Sequence, residues 1–192
     1  MTAKRQLLSA LKEHLKLLSD CLGDLAEPIE ARVVGGIAVN YYTGHRMSHD
    51  ADIQWSHRFA LPEDLHLFEV PDPEDPLKSS LIAMDTGFSD SLGLFPPDWQ
   101  DRAKEESRMG NIIVRIIDPV DLAVSKVGRF SERDREDIRQ LAAGGWIDRE
   151  LFASRAEEAL GYFVGDISPL RHNVALATAI ISRELDDVPE PP

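Results

Sequence analysis

Leu7, Leu8, Leu11, Leu15, Leu18 and Leu22 recur at three- and four-residue intervals and predict one helix over residues 4–22, with an apolar stripe along it. Gly23 offers that helix a C-terminal stop, and Pro28 marks a loop. Cys21, inside the apolar helix, reads as a core residue. Ala31–Val34 is short and β-branched at its end, as a buried strand is, and Gly35-Gly36 breaks it. Ile37, Ala38, Tyr41 and Tyr42 fall on one helical face, closed by Gly44. Ala51-Asp52-Ile53-Gln54-Trp55 alternates apolar and polar residues, the period of a half-buried strand.

Residues 71–110 carry five prolines and break every period, so a short strand near Ser80–Met84 and otherwise loops are expected. Asn111–Ile117 is rich in isoleucine and valine and predicts a strand. Asp118-Pro119 is a helix start, an N-cap acid before a proline whose missing N–H costs nothing there, and the helix is expected to reach Phe130. Ser131 caps a following helix that contains Ile138 and Leu141 and stops at Gly144-Gly145. Two more helices are expected over 148–162 and 168–185, then an acidic, proline-rich tail, DDVPEPP. Helix, mixed elements, then helices alone gives an α+β class. The expected domains are residues 1–145, a helical extension over 146–185, and the tail 186–192.

The length of 192 residues suits one domain with a real core plus an extension. Hydrophobic residues make up 43% and charged residues 29%, which excludes collagen-like or wholly disordered chains. No apolar run approaches the roughly 18 residues a spanning helix needs. The net charge of −13 repels polyanions and disfavours broad nucleic-acid binding. One cysteine cannot close an internal disulfide, and charges interrupt the opening MTAKRQLLSALKEH, unlike a secretory signal. The expected location is the cytoplasm, with no membrane partner.

The chemistry concentrates in RVVGGIAVNYYTGHRMSHDADIQW. A strand ending in two glycines before a helix leaves the first helical N–H groups unpaired at the positive end of the dipole, where a phosphate could approach. An ordinary turn requiring positive φ would use the same residues. Asp50 and Asp52, two apart on a strand, project from one face while Ala51, Ile53 and Trp55 take the other. Such a pair repels itself unless a cation intervenes, and Mg²⁺ favours these oxygen ligands together with substrate phosphates. With 34 acids in 192 residues, acid–x–acid triplets arise by chance about six times, so the combination with the glycines carries the signal.

Lys126 falls between Leu122 and Phe130 inside an apolar stripe, where it either snorkels or meets an anion. Asp134 stands at the third position after Ser131, as in a capping box, and also leans toward the core face one turn before Ile138. Asp137 lies further round. His45 and His49 are four apart with no third ligand nearby, so zinc is not expected.

The order Gly35-Gly36, then Arg46-x-Ser48-x-Asp50-x-Asp52, resembles the nucleotidyltransferase fold of the DNA polymerase β superfamily. With Lys126 in AVSKVGRF and Arg133-Asp134-Arg135-Glu136-Asp137, it is similar to the small bacterial AbiEii-like nucleotidyltransferases, which include toxin components of toxin–antitoxin systems. The resemblance covers residues 30–145. Ser48 replaces the commoner threonine, and Asn111–Ile117 lacks the third carboxylate that a later strand supplies in the superfamily.

The resemblance implies a mixed β-sheet flanked by helices. It implies transfer of a nucleoside monophosphate from an NTP to an acceptor, whether small molecule, protein or RNA. Asp50 and Asp52 would hold Mg²⁺ or Mn²⁺. Gly35, Gly36, Arg46 and Ser48 would seat the nucleotide. Lys126 would neutralise phosphoryl charge, Asp134 would position or deprotonate the acceptor hydroxyl, and Asp137 would sit behind them. A cognate antitoxin or a second copy of the chain are the implied protein partners. The alternative is a catalytically degenerate nucleotide-binding or partner-binding regulator of the same fold.

Overall fold

A computed structural model describes residues 6–72, 75, 77–85, 87–90 and 93–186. The tail expected over 186–192 lies, apart from its first residue, outside the described residues. The described chain is α+β and forms two compact units. The first holds the chain up to Phe88 together with Ala103–Ile117; the second holds Ser89–Arg102 and the chain from Asp118 onward.

The first unit carries a mixed sheet of strands β1 (Ile29–Val33), β2 (Asp50–Trp55), β3 (Leu67–Pro71), β4 (Ser79–Asp85), β5 (Lys104–Met109) and β6 (Ile112–Ile116), in the order β3-β4-β2-β1-β6-β5. β1 pairs antiparallel with β2 and parallel with β6, and β2 runs parallel to β4. Helix α1 (Gln6–Leu22) packs on β3, β5 and β6, and α2 (Gly35–Thr43) packs on β2. Leu7, Leu11, Leu15 and Leu18 of α1 are fully buried, as are Ala31, Val33 and Ala51 of the sheet. That alternation leaves Arg32, Asp52 and Gln54 on the other strand positions, outside the core.

Some features differ from the sequence expectation. Cys21 is exposed, not a core residue; at 100° per residue it lies one step past the edge of the leucine stripe, in the last turn of α1. The loops expected over 71–110 include β5 and the short helix α3 (Trp99–Arg102). β5, KEESRM, is an edge strand with a register shift between Glu105 and Ser107, so pairing on one side suffices and few apolar residues are needed. The helix expected to reach Phe130 ends at Val127, because Phe130 adopts φ 50°, a left-handed turn closed by its N–H on Lys126 O at 3.1 Å.

The second unit consists of α3 with α4 (Pro119–Val127), α5 (Glu132–Ala143), α6 (Arg149–Tyr162) and α7 (Ser168–Asp186). Asp118, Ser131 and Asp148 cap α4, α5 and α6 through their side chains, as their sequence positions predict. α4 and α5 pack with α6 and α7 within this unit. Among the described residues no helix is long and apolar enough to cross a membrane.

Candidate active site

In the first unit β1 passes through an extended Val34 into Gly35 at φ 57°, and α2 begins. Val34 supplies no side-chain cap, so the first N–H groups of α2 have no partner within the helix or from its N-cap side chain. The Val34 N–H donates to Asp52 O at 3.0 Å, which hooks the turn to β2 beside the acid pair.

The two glycines are fixed by what presses on them. A Cβ at Gly35 would overlap the Asp52 carboxylate, and a Cβ at Gly36 would overlap the Ser48 hydroxyl and lie 3.1 Å from Arg46 Nη1. Ser48, only 2% exposed, donates from Oγ to Asp50 Oδ1 at 2.9 Å. The buried Asn40 of α2 donates from Nδ2 to Arg46 O at 2.8 Å and pins the loop that carries Arg46 and Ser48. Behind the acids, Ala51 and Ile53 are buried. Gly35, Gly36, Arg46, Ser48, Asp50 and Asp52 are thus one local structure. The side chains that separate in sequence as turn, loop and strand meet because β2 pairs antiparallel with β1 and returns its first residues to the turn.

The donor set can be tested against a hard divalent cation. Asp50 is exposed and accepts from the neutral Ser48 hydroxyl, and Asp52 lies two positions along the same strand. Two carboxylates suit Mg²⁺, which binds through one or two carboxylates plus substrate phosphates and rarely takes an all-protein cage. Among the described residues no group of three or more His, Cys, Asp or Glu side chains is placed to hold a metal ion.

A further acid emerges from the topology. β6 contains none, but the strand parallel to β2 on its other side is β4, and Asp85 is the register partner of Asp52. Only the pairing order reveals this, since Asp85 stands 33 positions beyond Asp52 in an irregular stretch of sequence.

The Lys126 group belongs to the second unit. Lys126 Nζ lies 3.1 Å from Asp137 Oδ2 and 3.9 Å from Asp134 Oδ1, all three buried. The anion that Lys126 meets in the apolar stripe is therefore supplied by α5. Asp134 completes the capping box with Ser131 and accepts from Arg129 Nε and Nη2 at 2.8 Å each. Burial pushes its carboxyl up, but Arg129, Ser131 and Lys126 outweigh that and hold it down at about 2. Arg133 is exposed, and Arg135 lies over the Phe130 ring at 5.6 Å.

A second buried charge group was not anticipated. Asp121, fully buried on α4, accepts from Arg102 at 2.8 and 3.1 Å and from Arg155 at 3.0 Å, and Arg155 also reaches the N-cap Asp118 at 2.6 Å. Its signal was an acid one turn after the N-cap, among Val120, Leu122 and Ala123.

An acid pair on a strand, set against a double-glycine turn at a helix N-terminus in a mixed sheet, is the arrangement that the resemblance to nucleotidyltransferases implies. Residues 6–175 match the family described as nucleotidyltransferase of unknown function (DUF6036), and the chain belongs to that family. Comparison with curated proteins and with solved structures gives no significant match.

Proposed function

We propose that this chain transfers a nucleoside monophosphate from an NTP to an acceptor, with release of pyrophosphate, in the manner of the AbiEii-like nucleotidyltransferases. The observation that carries the reading is the contact of the Asp52 carboxylate with Gly35, coupled to the Ser48 bridge from Gly36 to Asp50. It joins the carboxylate pair to the first N–H groups of α2 within one short stretch of backbone.

In this reading the N–H groups at the start of α2 receive the triphosphate, aided by the helix dipole and by Arg46. Ser48 fixes the rotamer of Asp50 by its hydrogen bond. Asp50 and Asp52 hold Mg²⁺ or Mn²⁺, and Asp85 is the strand position suited to a third carboxylate. The bound metal supplies charge neutralisation and alignment for in-line displacement at the α-phosphorus. Most of the rate acceleration then comes from positioning and electrostatics, with little covalent chemistry asked of the protein. Lys126, Asp134 and Asp137 anchor α4 to α5 in the second unit, with Asp134 an anchor and not a base, because its oxygens are already engaged.

The test is a screen of the four α-labelled NTPs with Mg²⁺ against a total cell extract. Transfer of label to a discrete acceptor, lost in Asp50→Asn and Asp52→Asn, supports the reading. Saturable NTP binding without any transfer would replace it with the degenerate, regulatory one.

A further inference from the structure

The second unit carries a cleft that the proposed transfer does not use. It is an open cleft of about 330 Å³, at the lower end of the range of small-molecule sites. It is lined by the aromatic residues Phe95, Trp99 and Tyr162 and by Asp90, Asp98 and Asp101, with no basic side chain among the lining residues. A second cleft of about 340 Å³ shares Asp90, Phe95 and Tyr162 and continues onto apolar Phe163 and Val164.

The walls are built, not incidental. The rings of Phe95 and Trp99 pack at 5.0 Å between centroids, tilted by 37°. The Phe95 ring folds back onto Gly93, where a Cβ would meet it at 2.7 Å. Asp90 Oδ2 accepts from Trp99 Nε1 at 3.2 Å and from Gln100 Nε2 at 3.1 Å, which fixes the indole and leaves Asp98 and Asp101 as the other acids lining the cleft. Trp99 is 3% exposed, so the exposed ring of the cleft is Tyr162, at 73%.

Aromatic faces attract cations through their quadrupole, and carboxylates add charge to the same end. An anionic ligand is repelled here, and a neutral apolar one leaves the carboxylates without a counter-charge. We infer that this cleft binds a small organic cation, an ammonium group between the aromatic rings and the Asp98/Asp101 rim with an apolar body along Phe163 and Val164.

Choline and its neutral isostere 3,3-dimethylbutan-1-ol are the probes, titrated into the full chain while the indole N–H signal of Trp99 is followed by NMR. The expected result is a saturable shift with choline and none with the neutral alcohol. Tyr162→Ala and the double variant Asp98→Asn/Asp101→Asn should each weaken choline binding about three- to tenfold. Asn tolerates the left-handed backbone of residue 98 (φ 57°), so that substitution leaves the loop intact. Glu150→Gln, at the other end of α6 from Tyr162, removes one charge as a control for the general field of an acidic protein. The inference is overturned if choline produces no saturable shift, if the neutral alcohol shifts the signal equally, or if Glu150→Gln weakens binding as much as the rim variant. It is independent of nucleotidyl transfer, and the titration needs neither NTP nor metal.

Discussion

The Asp52 carboxylate occupies the space that a side chain at Gly35 would need. Turn and acid are therefore a single fitted object, and a methyl group at residue 35 must displace one of them. The left-handed backbone adds a cost of about 1–2 kcal/mol for any L-residue there. Gly35→Ala is expected to abolish nucleotide transfer, at least a hundredfold, while circular dichroism still reports a folded chain. Label incorporation within a few fold of wild type would separate the turn from the site.

Ser48 bridges Gly36 and Asp50 from a buried position. A hydrogen bond to a charged group contributes about 1.5–3 kcal/mol. Ser48→Ala should therefore lower incorporation by roughly ten- to a hundredfold, and Ser48→Thr should retain most of it. Equal loss in both variants would show that shape at residue 48, and not its hydroxyl, is what matters.

Asp85 is the register partner of Asp52 in the neighbouring strand, the position proposed for a third carboxylate. Asp85→Asn should depress incorporation as Asp52→Asn does, with the unfolding midpoint in urea unchanged. Wild-type activity in Asp85→Asn would leave Asp50 and Asp52 as the complete carboxylate set.

Much of this was legible in the chain, and what was not follows a pattern. The leucine stripe of α1, the caps Asp118, Ser131 and Asp148, and the alternation in β2 are local signals, written within one element. The acid pair and the glycines could be named together, but not their contact, which depends on β2 returning antiparallel to β1. Asp85 and β5 were hidden because edge and partner identity are properties of the sheet, not of either strand. Lys126 was visible as an anomaly in an apolar stripe, while its partner depended on how α5 packs on α4.

The lysine supports a stability prediction. Lys126→Met leaves Asp137 buried without its lysine and should cost about 3–5 kcal/mol in urea unfolding. Below the lowered melting point, an anchoring lysine leaves incorporation within a few fold of wild type. A hundredfold loss in the folded variant would instead assign Lys126 a phosphoryl-facing role.

Asp134 gives a pH dependence with a definite sign. Its carboxyl is held at about 2, below the ordinary 3.8, so its stabilising contribution is full above the ordinary value. That contribution, about 2 kcal/mol, drains away as pH falls from about 4 toward 2. Urea midpoints measured at pH 6 and pH 2.5 should differ less in Asp134→Asn than in wild type. An identical acid loss in both would move the acid sensitivity elsewhere.

The most direct measurement supplies one NTP labelled separately at the α- and γ-phosphorus, with Mg²⁺ and extract, to the wild type and to Asp52→Asn. Nucleotidyl transfer sends the α-label to the acceptor and the γ-label to pyrophosphate, and both signals fall at least a hundredfold in the variant. Transfer of the γ-label to the acceptor, or α-label incorporation that persists in Asp52→Asn, would contradict it.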